Sequence, residues 1–253
     1  MGDPLLAVDV PQRWLTLRDP RVRILSVFGF ALVVLALDDL LLLMSTLLLA
    51  VGLAVAAGLG PTLIIKRLAA LEGFMLVLCI LLPFSVPGET WFRVGAFSAT
   101  WEGLQMAVAI LLKANTVVLA LLALVGTMEP VVLGHALAQL KVPEKLVHLF
   151  LFTIRYLDLF HSEYHRLHRA MVARGFVARS DLHTWRSLGW LVGMLLVRSL
   201  RRSQRILAAM KCRGFSGRFY LMDGQTWERG DTLFALLSIG VMIGLLFMNG
   251  RAV

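Results

Sequence analysis

The feature that most constrains the fold is a series of five long apolar segments with almost no charge. They cover residues 24–37, 40–65, 73–88, 103–128 and 232–250. A helix needs about 20 apolar residues to cross a bilayer, and these segments approach or reach that length. Hydrophobic residues make up 58% of the sequence, against roughly 45–50% in soluble proteins. The sequence therefore predicts an integral membrane protein and excludes an ordinary soluble enzyme or a disordered chain.

Charges between the segments predict their orientation, because Lys and Arg concentrate in cytoplasmic loops. Arginines precede the first segment, Lys66-Arg67 follows the second, and 16 of the 25 Lys and Arg residues lie between 141 and 229. The acidic hairpin Asp38-Asp39 and the connection 83–102, where Pro83 and Pro87-Gly88 end the third span, are then external. We expect a cytoplasmic N-terminus at 1–23, transmembrane helices 1–4 at 24–128, a cytoplasmic region at 129–231, and the last transmembrane helix and C-terminus at 232–253.

A shorter apolar run, Ser187–Val197, lies within the basic region between Arg186 and Arg198. A membrane crossing here would place the basic stretch that follows it outside, against the charge bias. We interpret the run as a buried or interfacial helix. This gives five spans, with six or seven as the alternatives.

The region between the fourth and fifth spans predicts two long helices. Glu144–Arg174 contains no Pro or Gly and would form a helix about 46 Å long. A second helix is expected from about Leu188 to Arg213. Gly175 and Gly214 follow as natural C-caps. Helices with one apolar and one basic face can lie along a membrane surface.

The two helices end in one shared sequence pattern. Residues 170–176 and 209–215 both read Ala-Met-x-x-Arg-Gly-Phe, and three positions further Arg179 pairs with Arg218. The glycine would leave Arg174 or Arg213 at the helix tip, where an arginine complements the helix dipole and offers five donors. One alternative is that each arginine only caps its own helix or binds lipid headgroups. Two matching tips instead predict two matching receptors, most simply a pair of similar cytoplasmic subunits.

Further motifs accompany the paired ends: Asp19-Pro20-Arg21-Val22-Arg23, Thr127-Met128-Glu129-Pro130, Leu140-Lys141-Val142-Pro143 and Arg155-Tyr156-Leu157. With them, nearly the whole chain resembles the transmembrane T component of energy-coupling-factor (ECF) transporters and, within it, the CbiQ family of cobalt uptake systems. In that family two crossing coupling helices end in Ala-Arg-Gly motifs, and each inserts into a groove on one ATP-binding-cassette (ABC) subunit. Ala173-Arg174-Gly175 matches in full. Cys212-Arg213-Gly214 departs only at its first position, where cysteine is still small.

The resemblance implies an all-α integral membrane protein of the cell membrane, with about five transmembrane helices and two long cytoplasmic coupling helices inserted between spans four and five. It implies a non-catalytic subunit of an ATP-driven importer, first of all for cobalt, with nickel or a vitamin as the alternative substrate. The implied partners are two CbiO-like ATPases, a CbiM-like substrate-binding membrane subunit and a small CbiN-like accessory subunit. ATP would bind to the ATPases, and we expect no cofactor, metal or nucleic acid on this chain.

Lys113 is a charge near the middle of the fourth segment, and no acidic residue lies within another span. Intramembrane charges usually face the bundle interior and mark functional sites. The alternative is that Lys113 only packs its long stem inside the bundle.

Three histidines, His161, His165 and His168, share one face of the first long helix. Imidazoles at this spacing could bind a transition metal, although Arg166 and Arg169 crowd them and the resemblance assigns metal capture to another subunit. A membrane enzyme acting on lipids is the alternative function, and only these histidines offer it a catalytic cluster. A permease with its own substrate path would need polar residues in several spans, whereas these spans are nearly all aliphatic. The sequence contains no G-x-S-x-G, H-E-x-x-H or P-loop motif.

Overall fold

The computed structural model describes residues 18–86, 90–94, 97–215 and 229–252. This part of the chain forms eight helices and one two-stranded antiparallel ribbon. The helical class predicted from the sequence is confirmed, and the ribbon is an addition to it. In chain order the elements are α1 (Pro20–Ala36), α2 (Leu40–Ala56), α3 (Pro61–Ser85), β1 (Thr90–Val94), β2 (Phe97–Thr100), α4 (Trp101–Leu124), α5 (Pro130–Gln139), α6 (Glu144–Ala173), α7 (Leu182–Cys212) and α8 (Arg229–Ala252).

The chain divides into two compact units. The first unit comprises Met1–Ala136 and Gly224–Val253, and the second comprises Leu137–Asp223. In the first unit α4 packs against α1, α2 and α3, and α8 packs against α1. In the second unit α6 packs against α7.

Small residues lie at buried positions of α2 and α4, which pack against each other in the first unit. Ala50 and Ala54 on α2, and Ala120 and Ala123 on α4, are at most 1% exposed. Alanines let two helix backbones approach closely, which is how helices commonly associate in membranes. Large apolar side chains point outward instead, for example Phe28, Leu48 and Leu236. Exposed apolar area on this scale is typical of a surface that contacts lipid or another protein.

Two helices, Trp101–Leu124 and Gly230–Gly250, are long and apolar enough to cross a membrane. Helix α2 (Leu40–Ala56) and the Met75–Ser85 part of α3 are shorter apolar stretches. With 17 residues each, α1 and α2 are only about 26 Å long, slightly less than the roughly 30 Å of a bilayer's hydrocarbon core. The five-span topology therefore stays a prediction.

The second predicted span, Leu40–Ile65, is wrong in its end point. The helix stops at Ala56, Gly58 takes a positive φ of 81°, and a new helix begins at Pro61. Glycine adopts this left-handed conformation at little cost, and proline fits the first position of a helix. Lys66-Arg67, expected in the cytoplasmic connection after the second span, is part of helix α3. Glycine and proline mark the turn between α2 and α3, but it lies inside a continuous apolar run without charge, which predicts one span.

The connection 83–102 contains regular structure that the sequence did not predict. Strands β1 and β2 pair within it, and Arg93 lies opposite Ser98. Helix α3 continues past Pro83 to Ser85, and the Thr100 hydroxyl donates a hydrogen bond to the Val86 carbonyl at 2.8 Å. At the start of α4, a Cβ on Gly103 would lie 2.7 Å from the Cα of Pro83. The two helices therefore meet where only a glycine fits.

The two long helices of the second unit are present as predicted, with one shifted boundary. Helix α6 runs over Glu144–Ala173, whereas α7 begins at Leu182, earlier than the expected start near Leu188. The apolar run 187–197 is therefore part of one continuous helix. Thr184 and Leu191 are the buried residues of α7, so most of the run is exposed within the part of the chain that the structure describes.

Candidate functional site

The C-terminal end of α6 is closed by a pair of backbone hydrogen bonds. Gly175 has a φ of +84°. Its N–H donates to the Val172 carbonyl at 3.0 Å, and the Phe176 N–H donates to the Met171 carbonyl at 3.1 Å. This is the Schellman arrangement, in which a left-handed residue satisfies the last carbonyls of a helix. Arg174 is thus the C-cap residue, held directly before the turn.

The C-terminal end of α7 repeats this arrangement. Gly214 has a φ of +78°. Its N–H donates to the Lys211 carbonyl at 3.0 Å, and the Phe215 N–H donates to the Met210 carbonyl at 3.1 Å. Arg213 is the C-cap residue of this helix. The shared sequence pattern therefore gives two copies of one backbone structure.

The two arginines have nearly the same backbone conformation. Arg174 has φ −92° and ψ 13°, and Arg213 has φ −90° and ψ 13°. Ala173, Arg174, Cys212 and Arg213 are all exposed. An exposed guanidinium at a helix end can bind a carboxylate through two parallel hydrogen bonds. We call Ala173-Arg174-Gly175 and Cys212-Arg213-Gly214 the two arginine tips.

Both glycines are required by backbone conformation and not by packing. A Cβ on Gly175 or on Gly214 would meet no other atom within 4 Å. Their positive φ alone therefore disfavours other residues. The shared sequence pattern continues to Arg179 after the first tip and to Arg218 after the second. The Arg179 N–H donates to Thr184 Oγ1 at 3.1 Å, whereas Arg218 lies outside the described residues.

Lys113 bonds to the last turn of α1 and to the hairpin that follows it. Its Nζ lies 3.1 Å from the Leu35 carbonyl oxygen and 3.3 Å from Asp38 Oδ1. The acidic partner of Lys113 is thus Asp38, which lies in the hairpin between α1 and α2 and not in another span. The Lys113 side chain is 22% exposed and that of Asp38 is 91% exposed. This contact favours the packing interpretation of Lys113.

The three histidines of α6 make ring contacts along the helix. The Nε2 atoms of His161 and His165 are 2.9 Å apart. The ring of His168 stacks with that of Tyr164 at a centroid distance of 5.9 Å. Among the described residues, no group of three His, Cys, Asp or Glu side chains is placed to hold a metal ion.

Sequence reasoning missed how the first two quoted motifs meet. Arg23, which is 2% exposed, donates a hydrogen bond to Thr127 Oγ1. The backbone N–H of Asp19 donates to Asp231 Oδ1 at 3.0 Å. The start of α1 is thus bonded to the segment after α4 and to the first turn of α8. Since these residues are distant in sequence, only the assembled fold brings them together.

The fold and these ends define a helical membrane protein with two long amphipathic helices that end in paired arginine tips. A family model described as "Cobalt transport protein", CbiQ, matches residues 11–221. The chain therefore belongs to the CbiQ cobalt transport protein family.

Curated relatives agree with this family. The chain is 25% identical over 252 residues to an energy-coupling factor transporter transmembrane protein EcfT of Limosilactobacillus fermentum, covering 92% of this chain and 91% of the relative. It is 26% identical over 245 residues to the EcfT of Thermotoga maritima, covering 90% and 88%. A putative fused cobalt transport protein CbiMQ of Methanocorpusculum labreanum is 26% identical over 170 residues, covering 63% of this chain and 27% of that protein. The relatives are membrane components of transporters, which agrees with a non-catalytic subunit.

Proposed function

We propose that this chain is the coupling subunit of an ECF-type importer and transmits the motion of two ABC ATPases to a substrate-binding membrane subunit. The observation that carries the proposal is the duplicated arginine tip. Two helix ends share their sequence, their backbone angles and their hydrogen bonds. Simple capping explains either end alone, but it does not explain why both keep the same exposed arginine. Two equivalent ATPase subunits explain the duplication.

Each tip would bind its ATPase as a small rigid projection. The Schellman turn fixes the backbone on both sides of Arg174 and Arg213, so little backbone entropy is lost on docking. The neighbours Ala173 and Cys212 are small and exposed, which lets a receptor surface approach the helix. The guanidinium would then reach a carboxylate or a cluster of carbonyls in a groove of the partner.

Cobalt is the substrate that the family best supports, and nickel or a vitamin is the alternative. The support is the description of the matching family model and the name of the fused relative. ATP hydrolysis falls to the partner ATPases, because this sequence has no P-loop to cradle phosphates. Metal would be captured by the substrate-binding subunit.

The test is co-purification of the transporter's ATPases from detergent with variants of the tips. Arg174→Ala and Arg213→Ala should each weaken docking about 30-fold to several-thousand-fold, because each truncation leaves a desolvated acceptor unpaired, at a cost of about 2–5 kcal/mol. The double variant should lose ATPase association and metal uptake almost completely. Arg→Lys should restore only part of the binding, since lysine lacks the planar fork. Cys212→Ala should be mild, since it makes the second tip match the first.

The matched control is Arg166→Ala with Arg169→Ala, which removes two exposed arginines from α6 away from its tip. This control should bind the ATPases as the wild type does. Circular dichroism and gel filtration would verify that all variants fold and insert. Wild-type ATPase recovery with a folded Arg174→Ala/Arg213→Ala variant would disprove the role of the tips.

A further inference from the structure

Four arginines occupy one face of the C-terminal half of α7. Arg198, Arg201, Arg202 and Arg205 follow the spacing i, i+3, i+4 and i+7, which places them side by side on a helix. All four line a cavity of about 520 Å³ between α6 and α7. We call this cavity the arginine groove.

The opposite wall of the groove is apolar and nearly uncharged. Helix α6 contributes Leu159 and Phe160, and α7 adds Leu195 and Ile206 beside the arginines. Glu163 is the one acidic residue in the lining, and it pairs with Arg198. The groove therefore combines an excess of positive charge with an apolar wall.

The remaining arginines of the groove repel one another. Arg201, Arg202 and Arg205 are exposed and form no ion pair with other residues that the structure describes. Like charges at i and i+4 destabilise a helix, so an anion bound between them would remove this repulsion. An apolar wall beside them fits a ligand that carries a hydrocarbon part as well as a phosphate.

The N-terminal half of α7 indicates where this anion comes from. Trp185 and Trp190 are 70% and 72% exposed, and Val192, Leu196 and Val197 are exposed beside them. Tryptophan is enriched at the interface between membrane and water, and a helix with an exposed apolar face lies in that interface. Arg198 follows the apolar run directly. A helix whose apolar run lies against the lipid places Arg198 and the arginines after it near the lipid headgroups.

We infer that the arginine groove binds the headgroup phosphate of an anionic phospholipid, with an acyl chain along the apolar wall. The inference goes beyond the coupling role, because it concerns the body of α7 and not its tip. Binding would hold the helix pair at the membrane surface. Each arginine near an anionic surface contributes roughly fivefold to binding, so two of them together should contribute about 25-fold.

The experiment uses the full chain in detergent, with bound lipid counted by native mass spectrometry during titration with phosphatidylglycerol. Arg201→Gln/Arg202→Gln should weaken phosphatidylglycerol binding about 5- to 25-fold. The matched control Arg166→Gln/Arg169→Gln removes the same charge from exposed positions of α6 outside the groove, and it should change binding less than about twofold. Phosphatidylcholine should bind equally to all three proteins. Arg201→Lys/Arg202→Lys keeps the charge and should bind within a few fold of the wild type.

Several results would overturn the inference. Equal losses in the groove and control variants would show general attraction by the basic surface. Unchanged binding in a folded groove variant would show that the lipid lies elsewhere. Glycerol 3-phosphate that displaces phosphatidylglycerol completely would identify a site for soluble phosphate. Unchanged lipid binding together with weaker recovery of a co-expressed transporter subunit would assign the groove to a protein partner.

Discussion

The bundle of the first unit and the helix pair of the second unit differ in what their surfaces contact. In the bundle, polar side chains bond across helices, as Arg23 does with Thr127 and Ser26 does with Ser238. In the pair, the exposed side chains include Trp185, several aliphatic residues and the two arginine tips. The bundle is therefore joined by polar bonds between its own segments. The helix pair exposes the arginines and the apolar side chains on which the two proposed interactions depend.

Glycine-to-alanine substitutions inside helices should lower the free energy of unfolding in the bundle and raise it in the helix pair. Gly103→Ala in the bundle places a Cβ 2.7 Å from Pro83 Cα and 3.0 Å from the Leu82 carbonyl oxygen. Both contacts are backbone atoms that cannot rotate away, so we expect a loss of about 1–3 kcal/mol in the free energy of unfolding. The measurement is thermal unfolding in detergent, followed by circular dichroism.

The matched control is Gly193→Ala in α7, where a Cβ would meet nothing within 4 Å. Alanine is a better helix former than glycine, so this variant should gain about 0.5–1 kcal/mol. Destabilisation by Gly193→Ala would show that the N-terminal half of α7 is packed against another surface. A neutral Gly103→Ala would show that α3 and α4 do not approach as closely as described.

The sequence predicted the helix pair better than the bundle. Both arginine tips could be located because glycine, a preceding arginine and a helix free of proline are local signals. The Arg23–Thr127 bond and the close approach at Gly103 could not be predicted, since each depends on residues far apart in sequence. The turn at Gly58–Pro61 was missed for another reason. Glycine and proline mark it, but it divides an apolar run that no charge interrupts, so the run predicts one span.

The two helix ends should respond alike to loss of their glycines. Gly175→Ala and Gly214→Ala each force a left-handed conformation on a residue with a Cβ, which costs roughly 1–2 kcal/mol. No neighbour lies within 4 Å of either Cβ position, so the cost should be the same at both ends. Hydrogen exchange at the last turns of α6 and α7 would measure the loss of protection.

Gly189→Ala, at an open position inside α7, is the control for this pair and should not reduce protection. Asparagine tolerates the left-handed region better than alanine, so Gly175→Asn should cost less than Gly175→Ala. Unequal losses at the two ends would contradict the equivalence on which the two-ATPase proposal depends. ATPase recovery that falls in proportion to the lost hydrogen-exchange protection would support the two-ATPase proposal.

The smallest effect is expected at Lys113, a bundle residue whose ion pair resembles one on an exposed surface. Its partner carboxylate on Asp38 is 91% exposed, and exposed ion pairs contribute about 0–1 kcal/mol. Lys113→Met keeps a flexible stem of similar length and should change the unfolding free energy by less than about 1 kcal/mol. Asp38→Asn should match it, because it removes the same ion pair from the other side. Substrate uptake by the assembled transporter should stay near the wild-type level in both variants. Loss of uptake by Lys113→Met alone, with normal assembly and stability, would show that this charge acts in transport rather than in packing.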